Sequence, residues 1–395
     1  MQLIDKFRTA TAIARVRAHM RVERLTDRHP KRLSDIPTSV DVITREWLTA
    51  ALCGKVAGAG VVGFDLGGLN VGTTSRRSIH VRYSEAGQRA GLPERVFGKA
   101  TPQFTTRLVC GLSGAIASEV NFYNVIRPLL DIETLNCYFA AFHPGSYRSI
   151  LLFDDISYTK NARFLDPHHR FTRPQADSMI DAMAGMHSRF WGSKQLDEFV
   201  WIKDALSYQH HINKVIDFRK VTLAGVSRTA SILPEAIRTR QGELWPALMR
   251  SCELRVAGAR TLLHADIHPG NWYLAGNGQL GLSDWQCTTT GLWAADVAYA
   301  LSSCLAIDDR RAWERDLIGR YLSRLRLPDG QTVPSLDDAW LAYGQQVMHG
   351  LFNWFFVAGA GAMQPSMQPD DFGRINLERM ATAAVDLKTL DSLAI

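Results

Sequence analysis

The stretch from Leu262 to Ala300, LLHADIHPGNWYLAGNGQLGLSDWQCTTTGLWAADVAYA, constrains the fold of this 395-residue chain more than any other. An apolar strand signal runs into a polar loop that carries His264-x-Asp266 and, five residues after the aspartate, Asn271. A short hairpin follows, with Gly276-Asn277-Gly278 as its turn, and its second strand, Leu280-Gly281-Leu282-Ser283, delivers Asp284. A carboxylate that ends an apolar strand is costly to bury unless a cation compensates it. The segment therefore predicts a rigid loop and hairpin inside a larger body, with a positive charge brought to Asp284 from elsewhere.

The same three residues are a set of parts for phosphoryl transfer to a hydroxyl. Such chemistry needs a carboxylate to accept the hydroxyl proton and hard oxygen ligands for the magnesium on the nucleotide phosphates. An Asp, an Asn five residues on and an Asp across a hairpin supply both from one unit.

Around this block the texture of the chain changes twice. Residues 1–35 form a basic extension in which Arg alternates with Ala, Val, Ile and Met; Asp5, Glu23 and Asp27 dilute its charge, so a helix lying on the body is expected. Thr44 caps a short helix that stops at Gly54. From Val61 to about Ile156 strands dominate: Val61 to Phe64 and Ser78 to Tyr83 around a Gly/Asn/Thr-rich turn, Arg95 to Lys99, and a hairpin of Tyr138 to His143 with Ser149 to Phe153. Between them Val120, Tyr123, Ile126 and Leu130 recur at helical spacing and predict one helix over 119–130. Beyond Asp155 the periodicity is helical, with a capped helix over 172–190 and others near 205–220, 243–259, 311–325 and 336–358, the last opened by Ser335-x-x-Asp338. The division expected is an extension over 1–35, a β-rich lobe over 36–156 and a helical lobe over 157–395.

Composition excludes little but is consistent. A 46% hydrophobic, 21% charged chain is that of a soluble globular protein, and a net charge of +6 over this length points to no nucleic-acid partner. Six scattered cysteines with no C-x-x-C pair predict reduced thiols and a cytoplasmic location. The apolar run from Leu351 to Met363 is broken by Asn353 and is too short to span a bilayer.

The segment from His264 to Asn271, with Asp284, resembles the catalytic and metal loops of the aminoglycoside phosphotransferase and choline kinase superfamily. Four further stretches resemble its ecdysteroid-kinase-like branch: Thr44 to Leu52, Glu119 to Tyr123, Leu152 to Ile156 and Met186 to Trp191. The resemblance implies an α+β, protein-kinase-like fold of two lobes that uses ATP and Mg2+ to phosphorylate a hydroxyl of a small molecule. It implies Asp266 as catalytic base, His264 as a brace for the loop, and Asn271 and Asp284 as metal ligands. It also implies Lys99 on the nucleotide phosphates, paired with Glu119, and backbone groups of Asp154 and Ile156 facing adenine. Asp296 would anchor the loop from behind. The turn containing Thr73, Thr74 and Ser75 stands where phosphate contacts are expected, though it is not a Walker A loop and matches G-x-G-x-x-G loosely. Trp285 after the metal aspartate, where protein kinases have Phe-Gly, argues for a small-molecule acceptor.

Rival readings are a metal-dependent hydrolase, since His264-x-Asp266-x-His268 also looks like a metal cluster, and a catalytically silent nucleotide-binding protein. For the acceptor, residues 201–260 hold five acids against ten Lys and Arg, the wrong balance for the polycation that an aminoglycoside phosphotransferase would bind. Trp340 to Met363 adds six aromatic residues and no acid, which either wall an apolar pocket or fill the core of the helical lobe; the ecdysteroid-kinase-like resemblance implies a neutral, lipophilic alcohol as acceptor.

Overall fold

The computed structural model of the protein describes residues 3–26, 29–71, 74–361 and 368–394. Helix α1 (Leu3–Thr26) precedes a short α2 (Arg45–Cys53), whose cap Thr44 accepts a hydrogen bond from the Trp47 N–H. Five strands then build one antiparallel sheet: β1 (Val61–Val71), β2 (Ser75–Tyr83), β3 (Arg95–Ala100), β4 (Cys137–Phe142) and β5 (Ser149–Asp154), in spatial order β1-β2-β3-β5-β4. Successive side chains of a strand point to opposite faces, which makes the sheet two-sided. On β5, Ile150 and Leu152 join Trp47 and Leu48 of α2, whereas Leu151 and Phe153 point the other way into a core shared with the helical lobe. The sheet is thereby held from both faces.

A short α3 (Glu85–Arg89) links β2 to β3, and the β3-to-β4 connection departs from expectation. In place of one helix from residue 119, α4 (Phe104–Ser113) and α5 (Ala115–Asn121) meet at Gly114, whose φ of 90° is open to glycine at no steric cost. The helix then loosens into a five-residue π turn, Phe122–Ile126, so the apolar spacing read from sequence belongs to two hydrogen-bonding patterns. Helix α1 lies against α4: Arg107, buried on α4, donates to Glu23 at 2.7 Å, and Arg148 reaches the other carboxylate oxygen at 3.1 Å.

The helical lobe opens with α6 (Ile156–Thr159) and α7 (Arg173–Phe190), the latter closed by a reciprocal capping box between Thr172 and Gln175. The segment read as one helix over 205–220 is two, α8 (Ala205–Ile216) and α9 (Phe218–Arg228), broken where Asp217 takes φ 52°. After α10 (Glu235–Arg238) and α11 (Gln241–Ala257) come α12 (Ala294–Cys304), α13 (Ile307–Arg324), α14 (Leu336–Gly359), α15 (Asp370–Asp386) and α16 (Thr389–Ser392). Helices α9 and α14 approach to backbone contact, for a Cβ placed on Gly225 would lie 1.9 Å from the Phe355 carbonyl oxygen.

Short strands seat the catalytic segment on this bundle. β7 (Arg260–Leu263) pairs with β10 (Thr289–Leu292), and β8 (Trp272–Leu274) lies between β6 (Arg163–Phe164) and β9 (Leu280–Leu282). Among the described residues, no helix is long and apolar enough to cross a membrane.

Candidate active site

β7 ends at Leu263 and the chain turns sharply through Ala265, at φ 63°. That turn is held by Asp296 on α12, whose two carboxylate oxygens accept the His264 and Ala265 N–H groups, each at 2.8 Å. Burial would raise the Asp296 carboxyl, but the hydrogen bonds from His187 and the loop amides outweigh it and hold it below the usual range. His264 spans the loop from within. Its Nε2 meets the Ser283 carbonyl at 2.9 Å and its Nδ1 accepts the Asp266 N–H at 3.2 Å, which assigns a neutral ring protonated on Nε2.

This arrangement removes the basis of the metallohydrolase reading. Both nitrogens of His264 are spent inside the loop, and His268 Nδ1 accepts the Gly270 N–H. His268 Nε2 lies 3.9 Å from Asp266 Oδ2 but His264 does not join them, and no group of three or more His/Cys/Asp/Glu suited to a metal occurs among the described residues.

Asp266 stands at the open side of the loop. Tyr299 donates to its Oδ1 at 3.1 Å, and the Asn271 amide nitrogen donates to its carbonyl at 2.6 Å. With its nitrogen so engaged, Asn271 turns its amide oxygen away from Asp266, free for a cation. Across the hairpin, Ser283 binds the Asn271 carbonyl through both N–H and Oγ, fixing the spacing between Asn271 and Asp284. Asp284 itself takes φ 63°.

The cation required at Asp284 arrives from the sheet. Lys99 Nζ of β3 lies 2.6 Å from Glu119 Oε1 and 3.1 Å from Asp284 Oδ1, and Arg76 Nη2 of β2 lies 3.6 Å from the other Asp284 oxygen. Gln286 donates to the second Glu119 oxygen at 3.2 Å. Burial pushes the Glu119 carboxyl up, partly against Lys99; at Asp284 burial acts the same way but Lys99 and Arg76 outweigh it and hold the carboxyl down. A hard carboxylate beside a free amide oxygen is a donor set that suits magnesium, and Asp284 and Asn271 would hold it.

Two cavities meet at these residues. One, of about 320 Å³, lies between the lobes and is lined by Lys99, Glu119, Phe153, Asp154, Ile156 and Leu165. The other, of about 620 Å³, lies in the helical lobe and is lined by Asp266, Tyr208, Ile212, Phe218, Trp354 and Phe356. Arg76, Asn271 and Asp284 line both. Of the twelve residues to which the resemblance gives a role, Asp296 included, eleven fall within the described residues. Thr73 lies outside them; Thr74 and Ser75 are buried at the β1–β2 turn, where Thr74 Oγ1 accepts from Arg76 Nε. The Asp154 N–H is spent on the Asn136 carbonyl, which leaves its carbonyl rather than its amide to offer a base.

Residues 157–332 match the model of the phosphotransferase enzyme family. The match spans the whole catalytic loop, the hairpin and Asp296. With the loop geometry it makes the chain a small-molecule phosphotransferase with an alcohol group as acceptor, on an α+β, protein-kinase-like fold of two lobes. No curated protein matches the sequence. Among solved structures, the chain is similar to the choline kinase LicA from Streptococcus pneumoniae, with 15% identity and a TM-score of 0.44 over 82% of this chain and 94% of that one. It is also similar to an aminoglycoside 2'-phosphotransferase in complex with GDP (10% identity, TM-score 0.49, 83% and 93% covered). A Plasmodium vivax ethanolamine kinase stands at 10% identity and TM-score 0.45, with 81% of each chain covered.

Sequence reasoning missed Arg76, Gln286, Tyr299 and His349 as parts of the site. Gln286 and Tyr299 sit in the block already recognised and face the cleft by their register after Asp284 and Asp296. His349, from α14, donates to the Ala265 carbonyl at 2.7 Å; nothing in local sequence connects residues so far apart.

Proposed function

We propose that the protein transfers the γ-phosphate of ATP to a hydroxyl of a largely apolar small molecule, in the manner of the ecdysteroid-kinase-like branch of its superfamily. The observation that carries the reading is the division of labour between the two cavities. Asp266 faces the helical-lobe cavity, Lys99 and Glu119 face the interlobe cavity, and Asn271 and Asp284 line the wall common to both. Acceptor and nucleotide would then meet at the metal ligands, where phosphoryl transfer needs them.

In that arrangement Asp266 takes the proton of the acceptor hydroxyl as its oxygen bonds to the γ-phosphorus and the bond to the β-phosphate oxygen breaks, releasing ADP. Tyr299 and Asn271 fix the orientation of the base. Asn271 and Asp284 would hold Mg2+, which would supply charge neutralisation at the phosphate oxygens. Lys99, held straight by Glu119, offers its ammonium to the α and β phosphates, and the β1–β2 turn with Thr74 and Ser75 covers them. Phe153 and Leu165 would flank adenine beside the Asp154 and Ile156 backbone.

The apolar acceptor is supported by the lining of the larger cavity, whose only carboxylates among the described residues are Asp266 and Asp284, both with other tasks. An aminoglycoside would find no acid there for its ammonium groups. The α14 aromatics divide: Trp354 and Phe356 face the cavity, while Tyr343, Phe352 and Phe355 fill the core. All six cysteines are free thiols, which fits a cytoplasmic setting.

Replacement of the base tests the reading. Asp266→Asn keeps the shape of the loop but removes the proton acceptor, so Mg-ATP should bind as before while turnover with an alcohol acceptor falls by about 10² or more. Near-normal turnover in this variant would sink the assignment.

A further inference from the structure

Three arginines are fully buried among the described residues: Arg107, Arg255 and Arg310. Two have carboxylates. Arg107 pairs with Glu23 at 2.7 Å and Arg310 with Glu314 at 2.7 Å and with Asp386. Arg255, on α11 and 2% exposed, forms no ion pair with a carboxylate among the described residues. Its Nε donates to the Gln346 side chain at 2.8 Å, and its Nη2 has no partner at all. Asp296, whose charge it feels, is already engaged by His187 and the loop amides. A guanidinium removed from water without a counter-charge is costly, because the desolvation is met and nothing returns it.

The place of this charge is informative. Arg255 lines the helical-lobe cavity that also contains Asp266. Two neighbours on that lining repeat the pattern. Gln209 of α8 is 5% exposed with Nε2 unpartnered, and Thr289 of β10 is 2% exposed with Oγ1 unpartnered. Buried polar atoms in native proteins are almost always bonded, so these three orphans call for a common partner, as does Trp354 Nε1, a fourth on the same lining. All three can donate, and one bears a full positive charge. The complement is an anionic group with several acceptor lone pairs, which a planar carboxylate provides. Of the remaining lining, Ile212, Ile216, Phe218, Phe356 and Val357 are apolar.

We propose that the acceptor is an apolar hydroxy acid whose carboxylate is held by Arg255, Gln209 and Thr289 while its hydroxyl is presented to Asp266. The inference rests on the kinase reading above and changes one expectation from sequence: the acceptor keeps its apolar body but is negatively charged rather than neutral. Arg255 acts in binding and orientation, not in the transfer itself.

Equilibrium binding separates this inference from the kinase reading, because it needs no turnover. The full chain is titrated calorimetrically with ω-hydroxydodecanoate and with lithocholate, each against its methyl ester. At least one acid should bind about tenfold to a hundredfold more tightly than its ester, the range for hydrogen bonds to a charged group. Arg255→Met should abolish that preference and Arg255→Lys should retain part of it. Gln209→Leu should narrow it by a smaller factor, and serves also if Arg255→Met does not fold. Esters that bind as tightly as the acids, a preference that survives in Arg255→Met, or no binding of either acid at millimolar concentration would overturn the proposal. ADP release is scored separately: acids that bind through Arg255 but are never phosphorylated support the carboxylate site and count against phosphoryl transfer.

Discussion

Ala265 is clamped from both sides of its peptide. Its N–H goes to Asp296 at 2.8 Å, and its carbonyl accepts from His349 at 2.7 Å and Asn353 at 3.5 Å. A non-glycine residue in the left-handed region costs on the order of 1–3 kcal/mol and persists only where neighbours over-determine it. This turn is what aims Asp266, one residue on, out of the loop. His349 also ties the site to pH. Burial first, and then the Arg255 charge, push its imidazole down to about 3, whereas an unfolded histidine titrates near about 6.5. Below that higher value the unfolded chain takes up a proton that the native protein refuses, so acid favours unfolding and stability is regained as pH rises. Between about pH 6.5 and about pH 5 this one group removes up to about 2 kcal/mol. His349→Gln can keep a donor on the Ala265 carbonyl without the titration. In urea unfolding, the wild type should lose about 1–2 kcal/mol more than the variant on going from about pH 7 to about pH 5; equal losses would remove His349 from the account. Asp266, Asn271 and Asp284 were legible because they lie within one hairpin. Arg255, Gln209 and His349 were not, because each is an unremarkable polar residue in its own helix and gains meaning only when α8, α11 and α14 close on one cavity.

Elements were read well where a local signal marks their ends and poorly where two elements share one periodicity. Thr172 and Ser335 cap α7 and α14 as their sequence patterns require. By contrast the break at Asp217 leaves the apolar spacing on either side intact, so α8 and α9 were read as one helix, and α4, ahead of Gly114, was not read at all. The break before α9 has a use, for it turns Phe218 onto Phe356 of α14, the rings stacked at 4.9 Å in the cavity wall. That contact depends on the close approach of the two helices at Gly225. Alanine there gains about 1 kcal/mol of helix propensity, but its methyl would sit 1.9 Å from the Phe355 carbonyl oxygen, which is backbone and cannot rotate aside. Sterics should win. Gly225→Ala is expected to cost about 1–3 kcal/mol net in chemical denaturation and to weaken acceptor binding more than ATP binding, since the displaced wall belongs to one cavity only. Unchanged stability with unchanged acceptor affinity would show that the helices separate freely.

At the scale of the whole molecule, the ion cluster on Asp284 joins the lobes: Lys99 and Arg76 belong to the sheet, Asp284 to the helical lobe. The aspartate is the counter-ion of two cations. Proposed Mg-ATP binding redistributes those charges, with the cations moving to phosphate oxygens and the carboxylate to the metal, so the cluster exchanges partners and no charge is left unpaired. The exchange predicts how stability responds to ligand. At a hundred times its dissociation constant, Mg-ATP should stabilise the wild type by about 2.7 kcal/mol by mass action, and ATP with EDTA at the same concentration by distinctly less. Asp284→Ala removes the metal carboxylate but leaves Lys99 its bond to Glu119, so metal-free ATP should still stabilise the variant. Its empty state starts from a different stability, because Arg76 and Lys99 have each lost an acid, and the comparison must be made on ligand-induced increments. The expected result is an increment that no longer depends on magnesium, together with loss of phosphoryl transfer. A magnesium-dependent increment that persists undiminished in Asp284→Ala would move the metal to other ligands.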